Sequence, residues 1–168
     1  CGARGKRLCF EDEWLVACGG ATETQYPYGN GYQAGFCNDE ETWRVYSQTK
    51  LNGWPYGLAT SGVENLDALF ELARADSVGG GEAADHVAEL YQAEPSGSNT
   101  ECVGDHRVFD LVGNVEEWTR RRDGVTDFHG NLKGRYWAEP RTCQSNLTSH
   151  GDGFRFYEIG FRCCQDPL

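Results

Sequence analysis

The fold of this chain is decided by the stretch Phe109-Asp110-Leu111-Val112-Gly113-Asn114-Val115-Glu116-Glu117-Trp118, taken together with Gly160-Phe161-Arg162 near the C-terminus. Glycine adopts backbone angles that other residues avoid, and asparagine hydrogen-bonds within its own turn, so Gly113-Asn114 predicts a tight turn. Asp110 and Glu117 place two carboxylates around this turn, with backbone carbonyls between them. Such hard oxygen ligands are those that Ca²⁺ prefers. The residues therefore predict a small oxygen-rich cation site. The alternative interpretation is a tight turn with two solvated acids.

Length, composition and charge indicate a loop-rich single domain and exclude some classes of partner. The chain has 168 residues, enough for one domain with a real hydrophobic core. Its 22 glycines and mean hydropathy of -0.62 indicate many turns and more loop than helix. The net charge of -11 would repel nucleic acids and anionic membranes, so neither is predicted as a partner. No apolar run is long enough to predict a membrane span.

The eight cysteines favour disulfides over a zinc site. Their number is even, and no two of them form a Cys-x-x-Cys pair, which is typical of a protein from an oxidising compartment. The sequence therefore predicts a secreted or extracytoplasmic protein, in the periplasm or at a cell surface. Spacing alone leaves the pairing of the cysteines open.

The pattern along the chain changes from helical to extended. A helix that ends at Gly19-Gly20 is predicted by residues at helical spacing before it, namely Leu8, Glu11, Trp14, Leu15 and Cys18. Two amphipathic helices, separated by Gly79-Gly80-Gly81, form an acidic hairpin over residues 64–95 that is interpreted as an insertion. From Cys102 onward the residues favour short strands. The prediction is an α+β fold with a small, irregular, mostly antiparallel sheet.

Five motifs occur in a characteristic order. They are Gly5-Lys6-Arg7-Leu8 with Glu11-Asp12-Glu13-Trp14, Tyr26-Pro27-Tyr28-Gly29-Asn30, the stretch from Asp110 to Trp118, Lys133-Gly134-Arg135-Tyr136-Trp137, and Ile159-Gly160-Phe161-Arg162. In this order the chain resembles the formylglycine-generating enzyme family, also called the sulfatase-modifying-factor domain. The resemblance implies one irregular, loop-rich domain over residues 1–168, with a variant of the C-type lectin fold that calcium stabilises.

The resemblance also implies two calcium sites. In the first, the ligands are the side chains of Asp110 and Glu117 and the carbonyls of Gly113 and Val115. In the second, Asn38 and the carbonyl of Asp39 contribute, and the remaining ligands fall in the insertion. Because family domains carry a substantial segment before the Gly-Lys-Arg-Leu motif, the chain is expected to be the C-terminal part of a longer protein. The missing part is a candidate for a companion chain.

The catalytic residues of the family are not matched. The formylglycine-generating enzymes oxidise a substrate cysteine with copper held by a Cys-x-x-x-x-Cys pair, and the matching positions here hold Glu139 and Gln144. Cys143 lies one position out of register, and one thiolate does not supply the two soft ligands of a copper(I) site. Adjacent cysteines rarely bridge each other, so Cys163 and Cys164 are expected either to pair each with another cysteine or to include one that is buried.

Histidines do not restore a metal site. A related branch of the family uses iron bound by histidines, but the four histidines here form no His-x-x-x-His pair. His86 is expected to face solvent, whereas His129 and His150 lie in turn-rich loops where they could approach each other. The default interpretation is that they bind no metal.

Two functions follow. The first is an extracytoplasmic, calcium- and disulfide-stabilised, lectin-like module that binds a protein or other surface ligand, or has a structural role. The alternative is a metal-dependent oxidase or sulfur-transfer enzyme of the same family with altered active-site residues, for which Cys143 is the catalytic candidate.

Overall fold

The computed structural model describes residues 1–76, 78–125, 128–148 and 150–166. The chain forms two compact units, one of Cys1–Trp43 with Gln92–Leu168 and the other of Arg44–Tyr91. The helical hairpin predicted over residues 64–95 lies within the second unit up to Tyr91. That unit begins 20 residues earlier than the hairpin, at Arg44. Within the described residues, no helix combines the length and the apolar character needed to cross a membrane.

The first unit begins with short elements that lead into one helix. A 3-10 turn (Gly2–Arg4) precedes strand β1 (Arg7–Leu8) and helix α1 (Glu11–Gly19). The Glu13 carboxylate accepts a hydrogen bond from the Phe10 backbone N–H at 2.8 Å, which satisfies one free donor at the start of the helix. Gly20 ends the helix with a φ of 65°. The predicted helix and its end are confirmed, except that Leu8 belongs to the strand before it.

The sheets are small, as predicted. Strands β2 (Glu116–Val125), β3 (Phe128–Lys133), β4 (Asn146–Leu147) and β5 (Ile159–Phe161) form one sheet in the order β4-β3-β2-β5. A second sheet pairs β1 with β6 (Cys163–Cys164). All pairs are antiparallel except β2 with β5, which is parallel. The α+β fold with small, mostly antiparallel sheets is therefore confirmed.

The second unit is helical. It contains α2 (Gln48–Leu51), α3 (Leu66–Asp76) and α4 (Gly80–Leu90), with α3 and α4 packed against each other. The side chain of Asn65 accepts a hydrogen bond from the Ala68 N–H at 2.9 Å, as expected for the start of α3. The prediction for His86 is wrong: its side chain is buried, and its Nε2 accepts a hydrogen bond from the Ser47 N–H at 2.8 Å. Helix α2 was not predicted, because four residues are too few to show the helical spacing of hydrophobic side chains.

Four disulfides connect the first unit. They are Cys1–Cys163, Cys9–Cys164, Cys18–Cys143 and Cys37–Cys102. The adjacent cysteines of β6 each pair with a different partner on the N-terminal segment, as the sequence predicted. The core cluster contains Trp14, Leu111, Val112 and the sulfur atoms of two of these bonds, Cys18–Cys143 and Cys37–Cys102. The covalent links therefore hold the N-terminal helix to the segments that carry the candidate site.

Candidate functional site

The Gly-Asn turn has the backbone that its sequence predicts. Gly113 has a φ of 74° and Asn114 a φ of 60°. A Cβ atom on Gly113 would lie 2.3 Å from the carbonyl oxygen of Asn38, so only glycine fits there. The Gly113 N–H donates to the Gly134 carbonyl at 3.0 Å. The turn is therefore packed between the 38–39 segment and the turn at Gly134.

Asp110 is buried with one carboxylate oxygen unpartnered. Its Oδ2 accepts hydrogen bonds from the Gly97 N–H at 2.6 Å and the Ser96 hydroxyl at 3.4 Å. Its Oδ1 has no hydrogen-bond partner among the described residues. A buried acceptor without a partner is costly. The position is therefore suited to a ligand that supplies positive charge.

Glu117 lies in a different environment. Its two carboxylate oxygens accept hydrogen bonds from Nε and Nη2 of Arg162, each at 2.5 Å. Its Oε2 also accepts from the Trp14 indole N–H at 2.8 Å. Arg162 Nη2 additionally donates to the carbonyls of Phe109 at 3.1 Å and Asp110 at 3.3 Å. A guanidinium thus lies between the Glu117 carboxylate and the backbone at the start of the turn.

Arg162 is the residue of this site whose role sequence reasoning missed. The Gly160-Phe161-Arg162 motif was recognised, but a single arginine at the end of a short extended segment does not indicate its partner. The partner is fixed by the parallel pairing of β5 with β2, which aligns Gly160 with Glu117.

The 38–39 segment lies directly against the turn. The Asn38 carbonyl accepts from the Asn114 N–H at 2.7 Å, and the Asn38 side-chain amide donates to Asn114 Oδ1 at 3.3 Å. Asp39 is fully buried, and burial raises the pKa of its carboxyl to about 6. Its Oδ1 accepts from the Tyr32 hydroxyl at 3.1 Å, whereas its Oδ2 has no partner in the described part of the chain. The two predicted calcium sites are therefore neighbours.

The candidate calcium ligands fit the ion in part. Asp110 and Asp39 each offer an unpartnered buried carboxylate oxygen, which is the chemistry that Ca²⁺ requires. Both oxygens of Glu117, by contrast, are paired with Arg162. The described residues contain no group of three or more His, Cys, Asp or Glu side chains arranged to hold a metal. A calcium ion here would therefore rely on Asp110 and on backbone carbonyls.

Cys143 is in a disulfide. Its side chain and that of Cys18 are both fully buried, and the bond joins α1 to the segment that follows Trp137. The Cys143 N–H donates to the Gln25 carbonyl at 2.7 Å, which fixes the backbone as well. No cysteine of the described chain is a free thiol. The residues present therefore do not fit a copper site of two thiolates.

Glu139 bridges two arginines. One carboxylate oxygen pairs with Arg135 Nη2 and the other with Arg141 Nη2. Arg135 Nη1 also lies 3.3 Å from Oε1 of Glu116, whose side chain is only 2 % exposed. The pKa of the Glu116 carboxyl is raised by burial, and that of nearby Glu158 is raised to about 7, mainly by burial and also by the Glu116 charge. Glu139, at the position that matches a family cysteine, is thus held in a network of ion pairs that also contains Arg135, Arg141 and Glu116, which we call the Glu139 network.

The remaining candidates are distributed over the surface. Gln144 is exposed. His129 pairs through Nδ1 with Asp152 at 2.7 Å, and His150 stacks on Phe154 with ring centroids 3.6 Å apart. These histidines belong to no metal-binding group in the described ranges.

Comparison with known families identifies one match. A sequence model described as the sulfatase-modifying factor enzyme 1-like domain matches residues 1–167. None of the curated protein sequences matches this chain. The match covers all five motifs, the Gly-Asn turn, the Glu139 network and Cys143. The chain therefore belongs to the family of sulfatase-modifying factor enzyme 1-like domains, which is the formylglycine-generating enzyme family.

Proposed function

We propose that this chain is a non-catalytic member of its family, an extracytoplasmic, lectin-like module with a binding or structural role. The observation that carries the proposal is the Cys18–Cys143 disulfide, in which both cysteines are fully buried. Cysteine oxidation in this family relies on copper held by two thiolates. The one cysteine close to the matching positions is thus engaged elsewhere, which supports a role without that chemistry.

The Glu139 network supports the same proposal. A carboxylate is a hard ligand, whereas copper(I) selects soft thiolates. Glu139 is also paired with both Arg135 and Arg141, so its charge is already compensated. These residues form a polar surface suited to recognition of a ligand.

Calcium is part of the proposal as a stabilising ion. Asp110, with the carbonyls of Gly113 and Val115, would hold it, and Glu117 would join them only by sharing its carboxylate with Arg162. The unpartnered Oδ1 of Asp110 supports this site. The unpartnered Oδ2 of Asp39, next to Asn38, supports the second site in the same way, although the ligand expected there was the Asp39 carbonyl. The ion would offset buried negative charge and would supply no step of a reaction.

The disulfides support a location outside the cytoplasm. Four disulfides in one chain are typical of proteins that fold in an oxidising compartment. Partners in such a compartment include proteins and other surface ligands.

The experiment is an oxidation assay with copper(I) and a cysteine-containing peptide. The longest available form of the protein is incubated with both in air-saturated buffer, with oxygen as the oxidant, and aldehyde formation is followed by hydrazide labelling and mass spectrometry. An active formylglycine-generating enzyme serves as the positive control. We expect no aldehyde above the level of the copper-only reaction. Aldehyde that depends on the protein and is lost in Cys143→Ser would overturn the proposal and would favour the oxidase alternative.

A further inference from the structure

A small cleft lies beside the Glu139 network. Its volume is about 90 Å³, well above the roughly 10–15 Å³ that one water molecule needs. Leu132 and Leu147 form an apolar wall, and the polar lining residues are Arg135, Arg141, Ser145, Asn146 and Glu116. The Glu116 carboxylate is paired with Arg135, so Arg141 is the lining arginine that can face an anion. Small-molecule sites combine apolar walls with a few polar groups, as this cleft does, and its volume restricts it to a ligand of a few heavy atoms.

Arg135 is held in an unusual conformation at this cleft. Its φ of 59° lies in the left-handed region, which non-glycine residues adopt at a cost in free energy. Its guanidinium lies between the carboxylates of Glu116 and Glu139. Backbone strain of this kind is concentrated at functional positions. The fold thus fixes a guanidinium at the wall of the cleft.

Arg141 has unused donors. Its side chain is 45 % exposed, and its partner among the described residues is Glu139. A guanidinium has five N–H donors, and Glu139 divides one carboxylate between two guanidinium groups. Glu139 itself is 32 % exposed, so it lies near the surface. A second carboxylate that enters the cleft would find a planar donor group suited to bidentate pairing.

We propose that this cleft binds a short carboxylate, whose carboxylate group pairs with Arg141 in place of Glu139 and whose alkyl part contacts Leu132 and Leu147. The ligand chemistry is shared by a free short-chain acid and by the C-terminal carboxylate of a peptide. This inference deepens the binding role proposed above, and it names the ligand class of that role.

The test is a calorimetric titration of the protein with propionate. Propionamide, which has the same shape without the charge, is the control ligand. We expect saturable binding of propionate and none of propionamide. Arg141→Gln removes a charged hydrogen-bond donor, so it is expected to weaken binding about tenfold or more.

Two further variants are expected to change the affinity for propionate differently: one is expected to increase it and the other to leave it unchanged. Glu139→Gln weakens the internal competitor, so propionate is expected to bind about tenfold more tightly. Arg155→Gln removes an exposed arginine that does not line the cleft, and it is expected to leave the affinity unchanged. Thermal unfolding of each variant establishes that it is folded before titration.

A peptide arm distinguishes the two sources of the carboxylate. A tetrapeptide that ends in alanine is titrated with a free and with an amidated C-terminus. Tighter binding of the free peptide than of propionate assigns the site to a protein C-terminus, and the reverse assigns it to a free acid. The proposal is overturned if neither ligand saturates, or if Arg141→Gln binds as tightly as the unchanged protein. That result would leave the non-catalytic assignment intact, because the oxidation assay has an independent readout.

Discussion

Arg162, the residue directly after strand β5, forms a two-pronged ion pair with Glu117 of strand β2, with both N···O distances at 2.5 Å. The Glu117 side chain is only 7 % exposed, and Arg162 is 22 % exposed. The same guanidinium bonds to two backbone carbonyls at the start of the Gly-Asn turn. One side chain from the C-terminal motif therefore fixes the turn that belongs to the central motif.

Replacement of Arg162 tests this relationship. Among the described residues, Arg162→Met leaves the buried Glu117 carboxylate with Trp14 as its remaining donor, so we expect a loss of about 3 kcal/mol in the free energy of unfolding. Urea unfolding under non-reducing conditions measures it. Arg74→Met, at an exposed pair with Glu71 and Asp85, is the matched control and is expected to lose far less. Equal losses in the two variants would mean that the Arg162 pair has no special structural role.

The Gly113 turn gives a second prediction. Gly113→Ala would place a methyl group 2.3 Å from the Asn38 carbonyl oxygen at a φ of 74°. The strain of a left-handed backbone at alanine and the overpacking by its methyl group together predict a loss of about 3 kcal/mol in the free energy of unfolding. Gly57→Ala is the control, because Gly57 has a φ of 72° with open space around it, so only the backbone cost of about 1 kcal/mol applies. Similar losses at the two glycines would contradict the close packing of the turn.

The sequence predicted the local features of this site and missed its tertiary partners. The Gly113-Asn114 turn, the end of α1 at Gly19-Gly20 and the separate pairing of Cys163 and Cys164 follow from residue chemistry over short distances. The Arg162–Glu117 pair spans 45 residues, and the contact of Asn38 with Asn114 spans 76 residues. Such contacts depend on how elements pack, which no local pattern encodes. His86 was wrongly placed for the same reason, because its burial depends on the packing of α2 against α4.

The pH dependence of stability is predicted to carry a contribution from Lys133. Burial lowers the pKa of the Lys133 ammonium from 10.5 to about 8, although its attraction to Glu11 opposes this shift. Between these values the unfolded chain binds more protons than the folded chain, so stability rises with pH. We therefore expect the Lys133 contribution to be unfavourable and constant below pH 8, and to be relieved progressively between pH 8 and 10.5.

Lys133→Met isolates that contribution. The variant carries no titrating group at this position, so the unfolding free energy of the unchanged protein minus that of the variant is expected to increase above pH 8. Urea unfolding at several pH values between 7 and 10 measures the difference. A constant difference over this range would show that Lys133 has an ordinary pKa in the folded protein.

Calcium is predicted to stabilise the protein through Asp110. An ion that binds the folded chain alone raises the free energy of unfolding, by about 2.7 kcal/mol at a concentration 100 times its Kd. The midpoint of thermal unfolding is therefore expected to be higher in calcium than in EDTA. Asp110→Asn is expected to abolish most of this difference, and asparagine tolerates the φ of 56° at this position.

The control variant for the calcium experiment is Asp67→Asn, which replaces an exposed aspartate on α3. It is expected to respond to calcium as the unchanged protein does. If Asp110→Asn retains the full response, the ion binds elsewhere or acts by general charge screening.

Disulfide mapping tests the non-catalytic assignment most directly. The protein is alkylated without reduction, digested and analysed by mass spectrometry. We predict a linked peptide that contains Cys18 and Cys143, with no alkylation at any of the eight cysteines. An alkylated Cys143, together with copper(I) bound by the same preparation, would contradict the assignment.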